Sequence, residues 1–343
     1  MLPRHTECCI VVWPGAGGWG DEARRFPGER SGKTRSDPYH EAFLIALSTG
    51  SLYSYGLNRA FDLAARAGFD GVEVLVDQRW DTRQPDYLAS LQRLHGIPIV
   101  SLHSPFVAGV QGWEHDQLNR LKRTVELAAR LGAPHVVAHL PYRFAYVWIN
   151  ATSLLDKPIS LPLPSPNRDA DYREYLMHDL ERCQETTGVT VVVENLPCRR
   201  LGPITYNGYQ MNTIDQWGLL PNLNLDTTHL ATWRHDILAT YDQVKSRVRH
   251  VHLSNYNGKE HRLLWDGILP LDAFLQRLRD DKFSGILCVE LDPEPLEAGD
   301  ESKTLENLTR CREFCQQHFG AGSSANFAKT APVSPSGQQG GAR

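Results

Sequence analysis

The sequence predicts an α/β chain folded as a (β/α)8 TIM barrel, and three observations predict it. Eight short apolar runs recur between residues 43 and 319. Amphipathic stretches separate them, and several of these stop at a glycine. The span matches the about 250 residues that one barrel occupies better than it matches an open doubly wound sheet.

Taken in order, the runs are FLIALST (43–49), GVEVLVD (71–77), IPIVSLH (97–103), HVVAH (135–139), VTVVVEN (189–195), NLNLD (222–226), VRHVHLS (248–254) and GILCVEL (285–291). Each is short, and most are rich in β-branched residues, as buried parallel strands should be. Between them NRAFDLAARAG, DYLASLQRLHG and LKRTVELAARLG read as helices closed by Gly68, Gly96 and Gly132, since glycine accepts the left-handed conformation that ends a helix. Two connections exceed what a barrel needs. Residues 141–168 are proline-rich in their second half, and residues 197–211 read PCRRLGPITYNGYQM. Both follow strands, so both should rise from the catalytic face as a lid or substrate wall.

Outside the barrel, residues 1–42 and 320–343 lack periodicity and are rich in Gly, Pro and Ser; both read as disordered tails. Within the first, GERSGKT is not a phosphate-binding loop, because Pro27 stands where that motif requires glycine.

Bulk composition narrows the function classes. A net charge of −4 argues against a protein built chiefly to hold nucleic acid. No run reaches the roughly 18 apolar residues of a membrane span, so no membrane partner is expected. Seven cysteines, an odd number without paired CxxC motifs, and the lack of a signal-peptide core point to a reducing cytoplasm. Cys311 and Cys315, one helical turn apart, read as packing neighbours.

Barrel enzymes assemble their sites from the carboxyl ends of the strands. Those ends carry Glu73 or Asp77, then His103, His139, Glu194, Asp226 with His229, His252 and Glu290. Alternation puts Glu194 on the face of Val192 and Glu290 on that of Cys288, both inward. An isolated buried carboxylate costs several kcal/mol, and a divalent cation shared by several removes that penalty. A metal site is therefore expected. Oxygen-rich ligation with histidine and no thiolate suits Mn²⁺, Mg²⁺, Co²⁺ or Zn²⁺ without choosing among them. For Asp226 two readings stand: metal ligand, or cap of the following helix.

The segments GFDGVEV, VSLHSPF, VVAHLPY, VVVENLP, LNLDTTHLA, RHVHLSNY and GILCVEL, in this order, resemble the xylose isomerase-like barrels. These include sugar epimerases and isomerases, inosose dehydratases and the endonuclease IV family. Likeness to the epimerases implies one metal held by Glu194, Asp226, His252 and Glu290. It also makes the two glutamates acid and base on either side of the substrate carbon, with an enediolate between. His229 would then bind a substrate oxygen, and His103, His139, Glu73 and Arg262 complete the polar substrate contacts. Arg262, after the seventh strand, is the choice for a hydroxyl or phosphate. Trp80, Trp113, Trp148, Trp233 and Trp265 all follow strands, where an indole can cover a sugar face; Trp113 is the candidate. The expected partner is a small carbohydrate, sugar phosphate or inosose, with self-association into a homo-oligomer as a further expectation.

Likeness to the repair branch implies instead a three-zinc phosphodiesterase acting on abasic DNA. His103, His139 and DTTH match it, but GKEHRLLWDG departs from its Asp-x-His pair. A third class, a barrel that binds without turnover, is disfavoured because all four ligand positions are present.

Overall fold

Period-two alternation along the eight runs decides what enters the barrel. The structure, a computed structural model, describes residues 43–320 except 108, 114–115, 150–158, 165–168 and 202–203. The expected tails therefore lie outside the described residues, apart from Gly320.

In chain order the strands are β1 (Leu44–Ser48), β2 (Gly71–Leu75), β3 (Ile99–His103), β4 (His135–Ala138), β5 (Phe144–Ile149), β6 (Ile159–Pro164), β7 (Thr190–Glu194), β8 (Arg199–Leu201), β9 (Ile204–Tyr206), β10 (Leu223–Asp226), β11 (Val248–Leu253) and β12 (Ile286–Val289). Eight close a parallel barrel in the order β1-β12-β11-β10-β7-β4-β3-β2, as the sequence predicts. The other four form two antiparallel hairpins, β5 with β6 and β8 with β9. They occupy the two long connections, where pairing satisfies backbone that the prolines keep from becoming helix.

The helices are α1 (Leu57–Ala67), α2 (Pro85–His95), α3 (Gln117–Leu131), α4 (Ala170–His178), α5 (Leu180–Thr187), α6 (Ile214–Trp217), α7 (Thr227–Trp233), α8 (Ile237–Val244), α9 (Leu271–Asp280) and α10 (Glu301–Phe319). The expected stops are observed: Gly68 at φ 82° and Gly132 at φ 73° close α1 and α3, each N–H reaching back to carbonyls of the last turn. Aspartates begin others. Asp116 accepts from Asn119 N, and Asp236 from Ala239 N.

Outward residues such as Ile45, Leu47, Val72, Val74, Val191, Val193, Val251 and Leu253 join the apolar core that also includes helix residues Leu57, Phe61, Trp217 and Phe274. Cys311 and Cys315 pack there too, as free thiols. Leu44, Ala46, Val100, Ile286 and Cys288 form a separate small cluster. Leu44 and Ala46 lie opposite Ile286 and Cys288 in register, so this cluster fills the barrel interior. Most of the remaining inward positions are polar: Glu73, Ser101, His103, Glu194, Asn224, Asp226, His250 and His252 are all buried. A register slip of one residue would send every one of them into the apolar shell.

Candidate metal centre and active site

Because β7, β10, β11 and β12 are consecutive neighbours in the barrel, their inward carboxyl-end side chains converge. One atom from each of Glu194, Asp226, His252 and Glu290 fits within 4.8 Å of the others. His252 Nδ1 lies 2.9 Å from Glu194 Oε1 and 2.9 Å from Glu290 Oε2. The structure thus brings together the four residues expected as ligands.

The cap expected of Asp226 is observed, and its second oxygen is left over. Its Oδ1 accepts from His229 N at 2.8 Å and caps α7. Its Oδ2 is buried without a hydrogen-bond partner, and imidazole nitrogens of His229 and His252 stand 3.6 Å and 3.9 Å away. Burial, reinforced by the charges of Glu194 and Glu290, pushes this carboxyl well above the usual range. For Glu194, burial also acts upward, but His252, which hydrogen-bonds it, and the imidazoles of His103 and His139 beside it overcome that and hold the carboxyl well below. Burial lowers His252, yet Glu290, Glu73 and Glu194 drive it well above an ordinary imidazole. Three carboxylates around one imidazolium leave two oxygens, Asp226 Oδ2 and Glu194 Oε2, without hydrogen-bond partners. A divalent cation of the oxygen- and nitrogen-preferring kind fits this donor set and removes the repulsion that raises Asp226.

Two flanking groups share these carboxylates. His103, His139 and Glu194 form one, and Asp226, His229 and His261 the other. His103 Nδ1 donates to Ser104 O at 3.0 Å, leaving Nε2 to face Glu194 Oε2 at 3.5 Å. His139 Nε2 is 3.0 Å from the same oxygen. On the other side His229 Nδ1 donates to Asn195 O at 2.9 Å, so its Nε2 lone pair faces the cavity. Burial lowers His229 to about 3, keeping it neutral. GKEHRLLWDG therefore brings His261 to the site even though its spacing departs from an Asp-x-His pair.

Above these groups opens a cavity of about 250 Å³, lined by His103, His139, Glu194, His229, His261 and Glu290 together with Phe106, Tyr142 and Tyr209. Tyr142 and Tyr209 come from the two long connections, which join through the Tyr142–Tyr209 bridge and the Arg143 N–Gly208 O and Gln210 N–Pro141 O bonds. Both connections therefore wall the cavity, as expected of them.

Three expected substrate contacts are corrected. Glu73 lies beneath the cavity: its carboxylate accepts from Ser101 Oγ at 2.7 Å and sits 3.0 Å from His252 Nε2 and 3.3 Å from His250 Nε2. The other candidate on that strand, Asp77, turns away to Arg79. Arg262 is buried, with its guanidinium on Asp292 at 3.2 Å and Glu294 at 2.6 Å; two carboxylates from beyond β12 claim it before any substrate can. Trp113 packs in the core and donates Nε1–H to Thr124 Oγ1 at 3.0 Å. Among the other tryptophans, Trp233 donates to Leu196 O, Trp265 lies under Arg310, and Trp80 leans on Tyr87. The side chain of Trp148 lies outside the described residues. Phe106, Tyr142 and Tyr209 supply the aromatic wall instead.

Sequence reasoning also missed Asn195. Its Nδ2 donates to Asp226 O at 3.0 Å, its Oδ1 accepts from Asp226 N at 2.8 Å, and its carbonyl fixes the His229 tautomer. The available signal was its place directly after Glu194 at a strand exit. His250 was missed too; it faces inward two residues before His252, and burial keeps it neutral.

A sequence model of the xylose isomerase-like TIM barrel family matches residues 61–308. An uncharacterized protein of Mycobacterium leprae is 27% identical over 280 residues, covering 80% of this chain and 97% of that one. Among solved structures, 3-keto-D-glucoside 4-epimerase from E. coli superposes with a TM-score of 0.55 at 16% identity, over 79% of this chain and 99% of that chain. An AP endonuclease of family 2 from Brucella melitensis superposes with a TM-score of 0.53 at 18% identity, over 74% and 93%. At these identities the structural likeness carries the fold alone. No described helix is long and apolar enough to cross a membrane.

Proposed function

The chain belongs to the xylose isomerase-like TIM barrel family, and from that premise we propose that it is a metal-dependent sugar isomerase or epimerase working through an enediolate. The observation that carries this reading is the pairing of Glu194 and Glu290. Both line a cavity of about 250 Å³, and both touch His252 Nδ1 at 2.9 Å. That volume sits just below the usual range for small-molecule pockets, about 300–1,000 Å³, and suits a single sugar.

In this proposal Glu194, Asp226, His252 and Glu290 hold one divalent cation. When bound, it supplies Lewis acidity toward a substrate carbonyl and makes the neighbouring C–H easier to ionise. One glutamate then removes the proton from one face of that carbon. Delivery of a proton by the other glutamate to the opposite face is epimerisation; return to the adjacent carbon is isomerisation. His229, neutral and with Nε2 directed to the cavity, accepts a hydrogen bond from a substrate hydroxyl. Phe106, Tyr142 and Tyr209 cover the sugar and keep water from the intermediate. A sugar epimerase among the solved structures of like fold is consistent with this chemistry.

The second reading, a multi-metal phosphodiesterase, is favoured by the two flanking groups that share Glu194 and Asp226. Against a duplex substrate stands the sparse basic lining: among the described residues Arg199 is the one arginine or lysine lining the cavity, and it lies 3.4 Å from Glu260, a poor grip for phosphodiester backbones. The deciding experiment is metal content per chain, followed by incubation of metal-loaded protein with ketoses and inososes in D₂O. About one ion per chain, with deuterium entering beside a carbonyl and lost in Glu290→Gln, is the expected result. Three tightly held zinc ions with cleavage of abasic duplex would replace this function by the second reading.

A further inference from the structure

Beside the catalytic cavity lies a second cleft of about 520 Å³, lined by Arg199, Arg200, Tyr206, Tyr256, Lys259 and Glu260, with Gly258 at its edge. Arg199 and Glu260 line both spaces and lie 3.4 Å apart, so the cleft meets the cavity at that pair. Glu260 also approaches His229 Nε2 at 4.0 Å. A ligand extending from the catalytic residues past Glu260 enters this cleft.

The lining is cationic and under-partnered. Three basic side chains face one carboxylate. Among the described residues the Arg200 guanidinium has no ion pair or hydrogen bond, and neither the Tyr206 nor the Tyr256 hydroxyl has a hydrogen-bond partner. Lys259 reaches only Glu294, at 3.9 Å, and its side chain is 71% exposed. A tight turn presents it: Gly258 at φ 104° allows the chain to fold back, and Asn257 Oδ1 accepts from Lys259 N at 3.3 Å. Donors left without protein acceptors, on a net positive lining, are what an anion with several acceptor oxygens would satisfy, and arginine forks match phosphate and carboxylate.

We infer that this cleft binds an anionic group, phosphate or carboxylate, carried by the same small sugar whose reacting carbons occupy the catalytic cavity. This inference rests on the proposed function and narrows its substrate class to acidic or phosphorylated sugars. Arg262, the expected anion contact, is already held by Asp292 and Glu294; Arg199, Arg200 and Lys259 take that role. A duplex is the poorer occupant because, among the described residues, the adjoining cavity offers its phosphates one arginine, Arg199, already 3.4 Å from Glu260.

The test is titration of the full-length protein with inorganic phosphate, and separately with acetate, followed calorimetrically, in metal-loaded wild type, in the metal-loaded double variant Arg200→Gln, Lys259→Gln, and in Glu290→Gln as isolated. Phosphate binding that weakens at least about tenfold in the double variant and persists in Glu290→Gln is expected. Whichever of phosphate and acetate shows that dependence names the anion. Equal binding in wild type and double variant, or loss confined to Glu290→Gln, would overturn the inference. So would abasic duplex binding abolished by the double variant while inorganic anions are unaffected. Turnover separates this inference from its premise. Anion binding as expected, with no proton exchange from any phosphorylated or unphosphorylated ketose, leaves the anion cleft and removes the isomerase reading. Exchange whose kcat/KM preference for the phosphorylated sugar is unchanged in the double variant keeps that reading and removes the cleft.

Discussion

Glu73 stands behind His252, its Oε1 3.0 Å from the ring's Nε2, while Nδ1 on the opposite edge points between Glu194 and Glu290. The contact is an ion pair without hydrogen-bond geometry; a carboxylate set against one imidazole nitrogen favours a proton there and leaves the other nitrogen to a cation. Ser101 holds the second oxygen of Glu73 at 2.7 Å, so the positioning group is itself positioned. Glu73→Gln should leave the barrel folded and weaken metal binding about 10- to 100-fold, the usual cost of losing such a partner. Competition against a chelator of known affinity measures this; unchanged affinity would show that His252 needs no support.

Asp226 allows its two roles to be separated. Asparagine caps helices about as well as aspartate, whereas alanine costs about 1 kcal/mol. In chelator, Asp226→Asn should be at least as stable as wild type, since it removes a carboxyl that burial and two neighbouring carboxylates already push upward. Asp226→Ala should be less stable than Asp226→Asn by about 1 kcal/mol. Both should lose tight metal binding. Denaturant unfolding in chelator, paired with metal titration, checks the split, and equal stabilities would dismiss the cap.

Much of this architecture is legible in the sequence because the rules that generate it are local. VTVVVEN alternates Val191 and Val193 to the core with Val192 and Glu194 to the interior, so the run itself says which way its carboxylate faces. Gly68 and Gly132 mark helix ends for equally local reasons. What was not legible depends on distant partners. Arg262 looks free until the fold brings Asp292 and Glu294, about thirty residues on, against it. Trp113 follows a strand as a substrate contact would, but Thr124, two turns into α3, draws its indole inward. Asn195 has no pattern of its own; its value lies in spanning two adjacent strand exits.

Metal removal should register in stability as well as in turnover. A ligand that binds only the folded chain adds about 2.7 kcal/mol to unfolding when present at 100 times its Kd. Calorimetry with excess Mn²⁺ or Zn²⁺ against chelator should therefore show a raised Tm in wild type. Glu290→Gln should show little of that rise, because it replaces one of the four converging donors. A metal-dependent rise of equal size in both would place the tight site elsewhere, with the flanking groups the first to inspect.

Trp113 provides the sharpest contrast between the sequence expectation and the structure. A tryptophan stacked on substrate, when changed to phenylalanine, alters KM; a tryptophan packed in the core alters stability. Trp113 is 9% exposed, stands apart from the cavity lining, and donates to Thr124 Oγ1, which itself donates to Arg120 O at 2.9 Å. Trp113→Phe removes that indole donor and part of the apolar contact, and should cost about 1–3 kcal/mol in unfolding free energy. Once a substrate is in hand, KM should stay within about twofold of wild type, since ring atoms that never reach the cavity contribute no ground-state binding. Tyr209→Ala should do the reverse, raising KM with a smaller loss of stability, because Tyr209 is only partly buried and lines the cavity. A Trp113→Phe protein of unaltered stability but raised KM would restore the sequence expectation.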